Sequence, residues 1–169
     1  MSLPSRDWAT ELGLPNDVGI LARLVRLDLL VRRVLDDIAG AAEIAVADYL
    51  VLAVVRRSPG HQTMPTRICE ILDRTSGGMS LALDRLVAAG WLTRSADPHD
   101  GRRVVVTLTP SGLALATRVN DALHQWEASL DLSAAQQRET AQVVDQLLER
   151  FELRRSQSST AVSSPVSTA

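Results

Sequence analysis

Two short helical segments set about three residues apart, followed at once by a β-rich stretch, constrain this chain more than any other feature. Pro65 suits the first turn of a helix, and Ile68, Ile71 and Leu72 give that helix a small apolar face ending near Asp73. Thr75 and Ser76 can cap a second helix running to Ala89, with Met79, Leu83, Leu86 and Val87 on its inner face. Gly90 stops it. Trp91–Arg94 and Arg103–Leu108 are then rich in β-branched residues, and Ser95–Arg102 between them is dense in turn formers.

A helix-turn-helix followed by a hairpin is the order of a winged helix. Longer helices flank it. One begins at Asn16 or Asp17, either a good N-cap, and reaches about Ala39 before Gly40; its stripe is Leu24, Leu27, Val31, Val34 and Ile38. Ile44 to Arg57 is apolar nearly all round, the pattern of a buried helix, and Ser58-Pro59-Gly60 ends it. Thr109-Pro110 starts a helix with Leu115, Val119, Ala122 and Trp126 in near coiled-coil spacing. Ser133 and Gln136 form a capping box for a last helix to about Arg155, striped by Val143, Val144, Leu147, Leu148 and Phe151. The segment 156–169, almost wholly Ser, Thr, Ala and Gln, is expected to be disordered. The predicted fold is therefore mainly α with a small β-hairpin wing. Residues 1–155 form one domain, with 44–108 the winged helix-turn-helix and 16–39 and 109–155 dimerisation helices. A symmetric dimer is what helix-turn-helix proteins use to read two half-sites.

Charge distribution narrows the function. The net charge is −2 over 169 residues, yet Arg56 to Arg103 holds eight Arg against five acids. A basic middle between acidic ends fits an anion-binding surface such as one for a phosphate backbone, and equally an ordinary solvated face; charge alone does not decide. All 18 basic residues are Arg. The few aromatics lie far apart, which disfavours a stacking platform for single strands. No apolar run approaches the roughly 18–20 residues of a membrane span. Met1–Asp7 lacks the basic start and apolar stretch of a signal peptide, so a cytoplasmic setting is expected.

At this point three stretches resemble the MarR (multiple antibiotic resistance regulator) family of winged-helix transcription regulators. Asp48–Arg57 is similar to the family's second helix, Thr75–Leu86 (opening Thr-Ser-Gly-Gly-Met) to its recognition helix, and Asp100–Thr109 to its wing signature, Asp-x-Arg, five residues, then Leu-Thr. The resemblance covers roughly residues 18–152. It implies a sequence-specific regulator, a repressor by analogy, that binds double-stranded DNA as a homodimer on a pseudo-palindromic operator, with a small-molecule effector as a further partner. The alternative is a winged-helix interaction module that has lost DNA binding.

The residues carried over are Thr75, Ser76, Gly77, Gly78, Ser80, Leu81 and Arg85 on the recognition helix, Thr66 at the start of the preceding helix, and Asp100, Arg102 and Arg103 in the wing. The outward face of the helix is expected to be Ser76, Gly77, Ser80, Leu81 and Asp84, with Gly77 and Gly78 letting the backbone approach a phosphate. Arg85 serves phosphate contact or a salt bridge. In the wing, the resemblance implies that Asp100 orients an Arg and that an Arg from the tip enters the minor groove. Thr66 is expected to donate a hydrogen bond to a phosphate. One departure stands out: relatives with Gly-Gly-Met often carry a basic residue where this chain has Ala82 and Thr where it has Ser80, which implies weaker DNA affinity here.

No enzyme chemistry is expected. There is no phosphate-binding Gly loop before a Lys and no Gly-x-Ser-x-Gly elbow. His61, His99 and His124 are isolated, so neither a metal nor another cofactor is expected. Cys69, the single cysteine, lies among Ile68, Ile71 and Leu72 and is expected to be an inert buried hydrophobe rather than an oxidant sensor.

Overall fold

The computed structural model describes residues 19–97 and 100–162. In chain order they form α1 (Ile20–Ala41), α2 (Val46–Arg57), a 3-10 turn (Pro59–His61), β1 (Gln62–Thr63), α3 (Pro65–Leu72), α4 (Ser76–Ala88), β2 (Leu92–Ala96), β3 (Val104–Leu108), α5 (Pro110–Ala128) and α6 (Ala134–Val162). The chain divides into two compact units, one through Gln125 and one from Trp126. The fold is mainly helical with a small antiparallel wing, as the sequence predicts.

The core of the first unit is centred on α2, whose Val51, Leu52 and Val55 are fully buried. Ile68 from α3, Met79, Leu83 and Leu86 from α4, Leu92 from β2, Val106 from β3 and Val119 from α5 close around it. Each such side chain contributes about 1.5–3 kcal/mol by leaving water. The sheet runs β1-β3-β2, all antiparallel, with Leu92 opposite Leu108 and Ala96 opposite Val104. β1 pairs Gln62 with Thr107 and Thr63 with Val106. That strand is absent from the sequence reading because two residues carry no period.

α5 enters on the turn that ends α4. Thr109 Oγ1 donates to the Gly90 carbonyl (2.7 Å) and accepts from Gly112 N–H (3.0 Å), while Ser111 Oγ donates to the same Gly90 carbonyl (3.0 Å). Gly90 takes a left-handed φ of 73° there. Gly112 lies so close to Trp91 that a Cβ would overlap the Trp91 carbonyl.

Several expected boundaries and faces shift. α1 starts after Gly19, which is extended (ψ 168°); Asn16 and Asp17 lie outside the described residues. It passes through Gly40 to Ala41, because Ala42 N–H and Ile44 N–H bond to the Ala39 carbonyl (both 3.0 Å) and Glu43 N–H to that of Gly40 (2.9 Å). On α4 the inner row from Met79 at helical spacing is Met79, Ala82, Leu83 and Leu86; Val87 lies one position past it and is 36% exposed. Ile71 turns outward, 50% exposed, leaving Ile68 to anchor α3.

In the second unit, Ser133 and Gln136 form the expected capping box: Ser133 N–H donates to Gln136 Oε1 (2.9 Å) and Gln136 N–H to Ser133 Oγ (3.3 Å). The helix does not stop near Arg155 but runs to Val162. Disorder is thus not what the structure gives for 156–162. Ser156 Oγ bonds back to the Glu152 and Leu153 carbonyls (3.1 and 2.9 Å), and neither Gly nor Pro interrupts the chain before Pro165. Residues 163–169 lie outside the described residues.

Candidate nucleic-acid interface

α4 opens on Thr75, whose Oγ1 accepts from Gly78 N–H (3.4 Å). Ser76, Gly77, Ser80, Leu81 and Asp84 are all exposed, as the sequence predicts for them, and so is Gly78. A side chain on Gly77 would meet nothing within 4 Å, so nothing inside the protein requires glycine at that site.

The charged residues of α4 are engaged. Arg85 donates from Nη2 to Asp48 Oδ1 (2.7 Å) and from Nε to Asp48 Oδ2 (3.4 Å), and this bonding holds its guanidinium above the usual value. Of the two expected roles for Arg85, the salt bridge is the one formed. Asp84 accepts from Arg94 Nη1 (2.6 Å), and Arg94 Nη2 donates to the Ser80 carbonyl (3.3 Å), tying β2 to the outer side of α4. Asp48 and Arg94 were not singled out in the sequence. Asp48 lies 37 positions from Arg85, beyond the reach of any local pattern.

Ala82 overturns one expectation. It is 1% exposed, in the core, so it leaves no gap on the outer row of α4. The outward position beside it is Leu81. Alanine at 82 therefore does not imply weak DNA affinity, which removes one of the two motives for an interaction module without DNA binding; the other, the acidic total charge, is untouched.

In the wing, Asp100 Oδ2 pairs with Arg103 Nε (3.0 Å), and Asp100 Oδ1 accepts from the Arg102 N–H (3.2 Å). Asp97 Oδ1 in turn accepts from the Asp100 N–H (3.3 Å). Asp100 thus orients Arg103 by its side chain and fixes Arg102 by its backbone. The Arg102 guanidinium has no ion-pair partner among the described residues, whereas Arg67, Arg85, Arg94 and Arg103 all do. Part of the positive surplus of the segment is therefore free at the wing tip; Arg57 and Arg74 likewise form no ion pair among the described residues. A cleft of about 430 Å3 brings together Met64, Pro65 and Thr66 from the start of α3 with Arg102, Arg103 and Val104. Thr66 and the wing arginines, 36 positions apart or more, face one space. Pro98 and His99 lie outside the described residues.

Elsewhere the chemistry is sparse. Cys69 is half-buried against the core. Among the described residues no three His, Cys, Asp or Glu side chains group closely enough to hold a metal ion, and no single helix is long and apolar enough to cross a membrane. Arg56 Nη2 donates to the buried Asn120 Oδ1 (2.6 Å), a polar link between α2 and α5.

A helix-turn-helix with an unobstructed second helix, beside a wing bearing an uncommitted arginine, defines a winged-helix DNA-binding protein. A family model described as a winged helix DNA-binding domain matches residues 47–112. The HTH-type transcriptional regulator PecS of Dickeya dadantii is 33% identical over 101 residues, 59% of this chain and 61% of that protein's length. The multiple antibiotic resistance protein MarR of Escherichia coli is 31% identical over 124 residues, 70% of this chain and 84% of that one. A crystal structure of a MarR mutant from E. coli complexed with operator DNA superposes with a TM-score of 0.64 at 28% identity, over 79% of this chain and 96% of the other. The chain belongs to the MarR family of winged-helix transcription regulators.

Proposed function

We propose that the protein is a homodimeric transcriptional repressor of the Thr-Ser-Gly-Gly-Met subgroup. It binds a pseudo-palindromic operator with α4 in the major groove and the wing in the minor groove. The observation that carries this reading is the pairing of a bare helix face (Ser76, Gly77, Ser80, Leu81) with the unpaired Arg102 at the wing tip. Thr75 and Gly78 set the start of that face, Arg103 and Thr66 supply phosphate contacts beside the wing, and Arg85 holds α4 to α2. The MarR structure with operator DNA supports the same use of the fold, and an HTH-type transcriptional repressor of Mycobacterium tuberculosis, 26% identical over 138 residues, supports the direction of control.

The test is fluorescence anisotropy on a cognate and a scrambled duplex at several salt concentrations. Arg102→Ala is expected to weaken binding to both. The slope of log affinity against log salt should fall by up to about 2 in a dimer, one counterion for each arginine removed. An unchanged slope removes Arg102 from the interface; absence of any specific duplex removes the DNA-binding reading.

Dimerisation rests on uncovered apolar helix faces. Leu21, Val25, Leu27 and Val31 of α1 are 42–60% exposed, and on α6 Val143, Val144, Leu148 and Phe151 are 40–54% exposed. A second copy supplies the cover that such stripes need. Sedimentation equilibrium should give about twice 18.3 kDa. Phe151→Glu should weaken the dimer by about 2 kcal/mol or more, roughly thirtyfold, while leaving the helical circular dichroism of the monomer intact. A monomeric parent chain at micromolar concentration rejects the dimer.

An effector site completes the proposal. Between α1 and the winged helix lies a cleft of about 350 Å3 lined by Arg32, Asp36, Val46, Ala47, Leu50 and Arg74, within the size range of small-ligand sites. A compound seated there would bear on α1 and on the α3–α4 turn together.

A further inference from the structure

The outer row of α4 is chemically unlike a typical base-reading helix. Base edges are most sharply read by long bidentate side chains, arginine or lysine on guanine and asparagine or glutamine on adenine. α4 offers none free: its single Arg85 is held by Asp48, and Asp84 is neutralised by Arg94. Ser76 and Ser80 carry short hydroxyls that accept either donor or acceptor and so discriminate weakly. The remaining side chain is Leu81. At 64% exposure it is the most exposed large apolar side chain among the described residues. It stands one helical turn past Gly77, on the same face, with Ser80 and Asp84 around it. Gly77 leaves the surface low in front of it, since nothing occupies the space where its side chain would be.

The major groove displays one apolar group on its floor, the C5-methyl of thymine. We infer that Leu81 is a specificity-determining residue that packs on a thymine methyl in each half-site, so that the operator is read at its centre of contact by apolar burial instead of by a bidentate hydrogen bond. This inference rests on the DNA-binding reading above. Arg94 serves it indirectly as a positioning residue: its bonds to Asp84 and to the Ser80 carbonyl hold the turn that carries Leu81 and shield the phosphates from the Asp84 charge.

The experiment separates the two readings. A cognate duplex is first selected from a randomised pool by the full-length chain. Each thymine is then replaced in turn by deoxyuridine, which removes only the methyl. Burial of one methyl is worth about 0.8 kcal/mol, so one position per half-site should lose about fourfold in affinity, and the symmetric double replacement about fifteenfold. Leu81→Ala should bind the parent duplex as weakly as the wild type binds the deoxyuridine duplex, and should no longer distinguish the two. Its exposed position predicts an unchanged unfolding midpoint, which checks that the variant is folded. Uniform tolerance of deoxyuridine in the wild type overturns the inference while leaving DNA binding intact, as does a Leu81→Ala chain that keeps the discrimination. If no duplex is enriched, the DNA-binding reading fails and the inference with it.

Discussion

Gly112→Ala is expected to destabilise the first unit by about 3 kcal/mol, the upper end of the range for overpacking. The added Cβ overlaps the carbonyl and Cα of Trp91, and those are backbone atoms that no rotamer change can move aside. Relief requires α5 to lift from the α4–β2 turn. That movement stretches the Thr109 and Ser111 hydrogen bonds to the Gly90 carbonyl and the Thr109 N–H bond to the Trp91 carbonyl (3.1 Å). A domain of this size holds about 5–15 kcal/mol in all, so the loss should appear as a large fall in the urea midpoint with little change in slope. A midpoint within experimental error of the parent would show that α5 does not bear on that turn. DNA affinity should fall in parallel, because the same turn sets α4 against the wing.

The second large effect comes from two neighbouring substitutions with opposite outcomes. Ala82→Arg places a guanidinium at a site 1% exposed, on the same buried row as the apolar Met79, Leu83 and Leu86. An uncompensated buried charge costs about 3–5 kcal/mol, so this variant should unfold or lose its cooperative transition. Leu81→Arg, one position earlier, puts the same charge in solvent. It should fold as the parent does and bind duplexes more tightly at low salt, with a steeper salt dependence from one more phosphate-reaching group per subunit. Its selected operator should shift toward guanine where the parent requires thymine. Thermal denaturation and anisotropy on both variants check the pair; a stable, tighter-binding Ala82→Arg would mean that α4 is rotated by about one residue from the arrangement described here.

That pair also shows what kind of error a linear reading makes. The inner face of α4 is legible as a period, and Met79, Leu83 and Leu86 follow from it. The edge of the face is not. Ala82 and Val87 flank the row about equally, and hydrophobicity favours Val87. Burial goes to Ala82 (1% exposed) and not to Val87 (36% exposed), so the side on which α4 packs was set by the fold and not by hydrophobicity. In the same way α6 is expected to end near Arg155 where its apolar stripe fades, yet the helix continues past the stripe to Val162.

The sequence by itself determined the order of elements, the helix-turn-helix spacing, the caps at Thr75, Thr109 and Ser133, and the residues of the wing, because each depends on groups within a few positions of one another. Tertiary structure alone decided which charges pair across distance. Arg85 pairs with Asp48 across 37 positions and Arg94 with Asp84 across ten, whereas Arg103 pairs locally with Asp100 and Arg102 has no ion-pair partner among the described residues. Likewise only the fold set Thr66 beside Arg102, added β1 to the edge of β3, and seated Gly112 on Trp91. Local propensity acts over the length of one helical turn, whereas the partner of an ion pair or the neighbour of a missing side chain is fixed only once distant segments have packed.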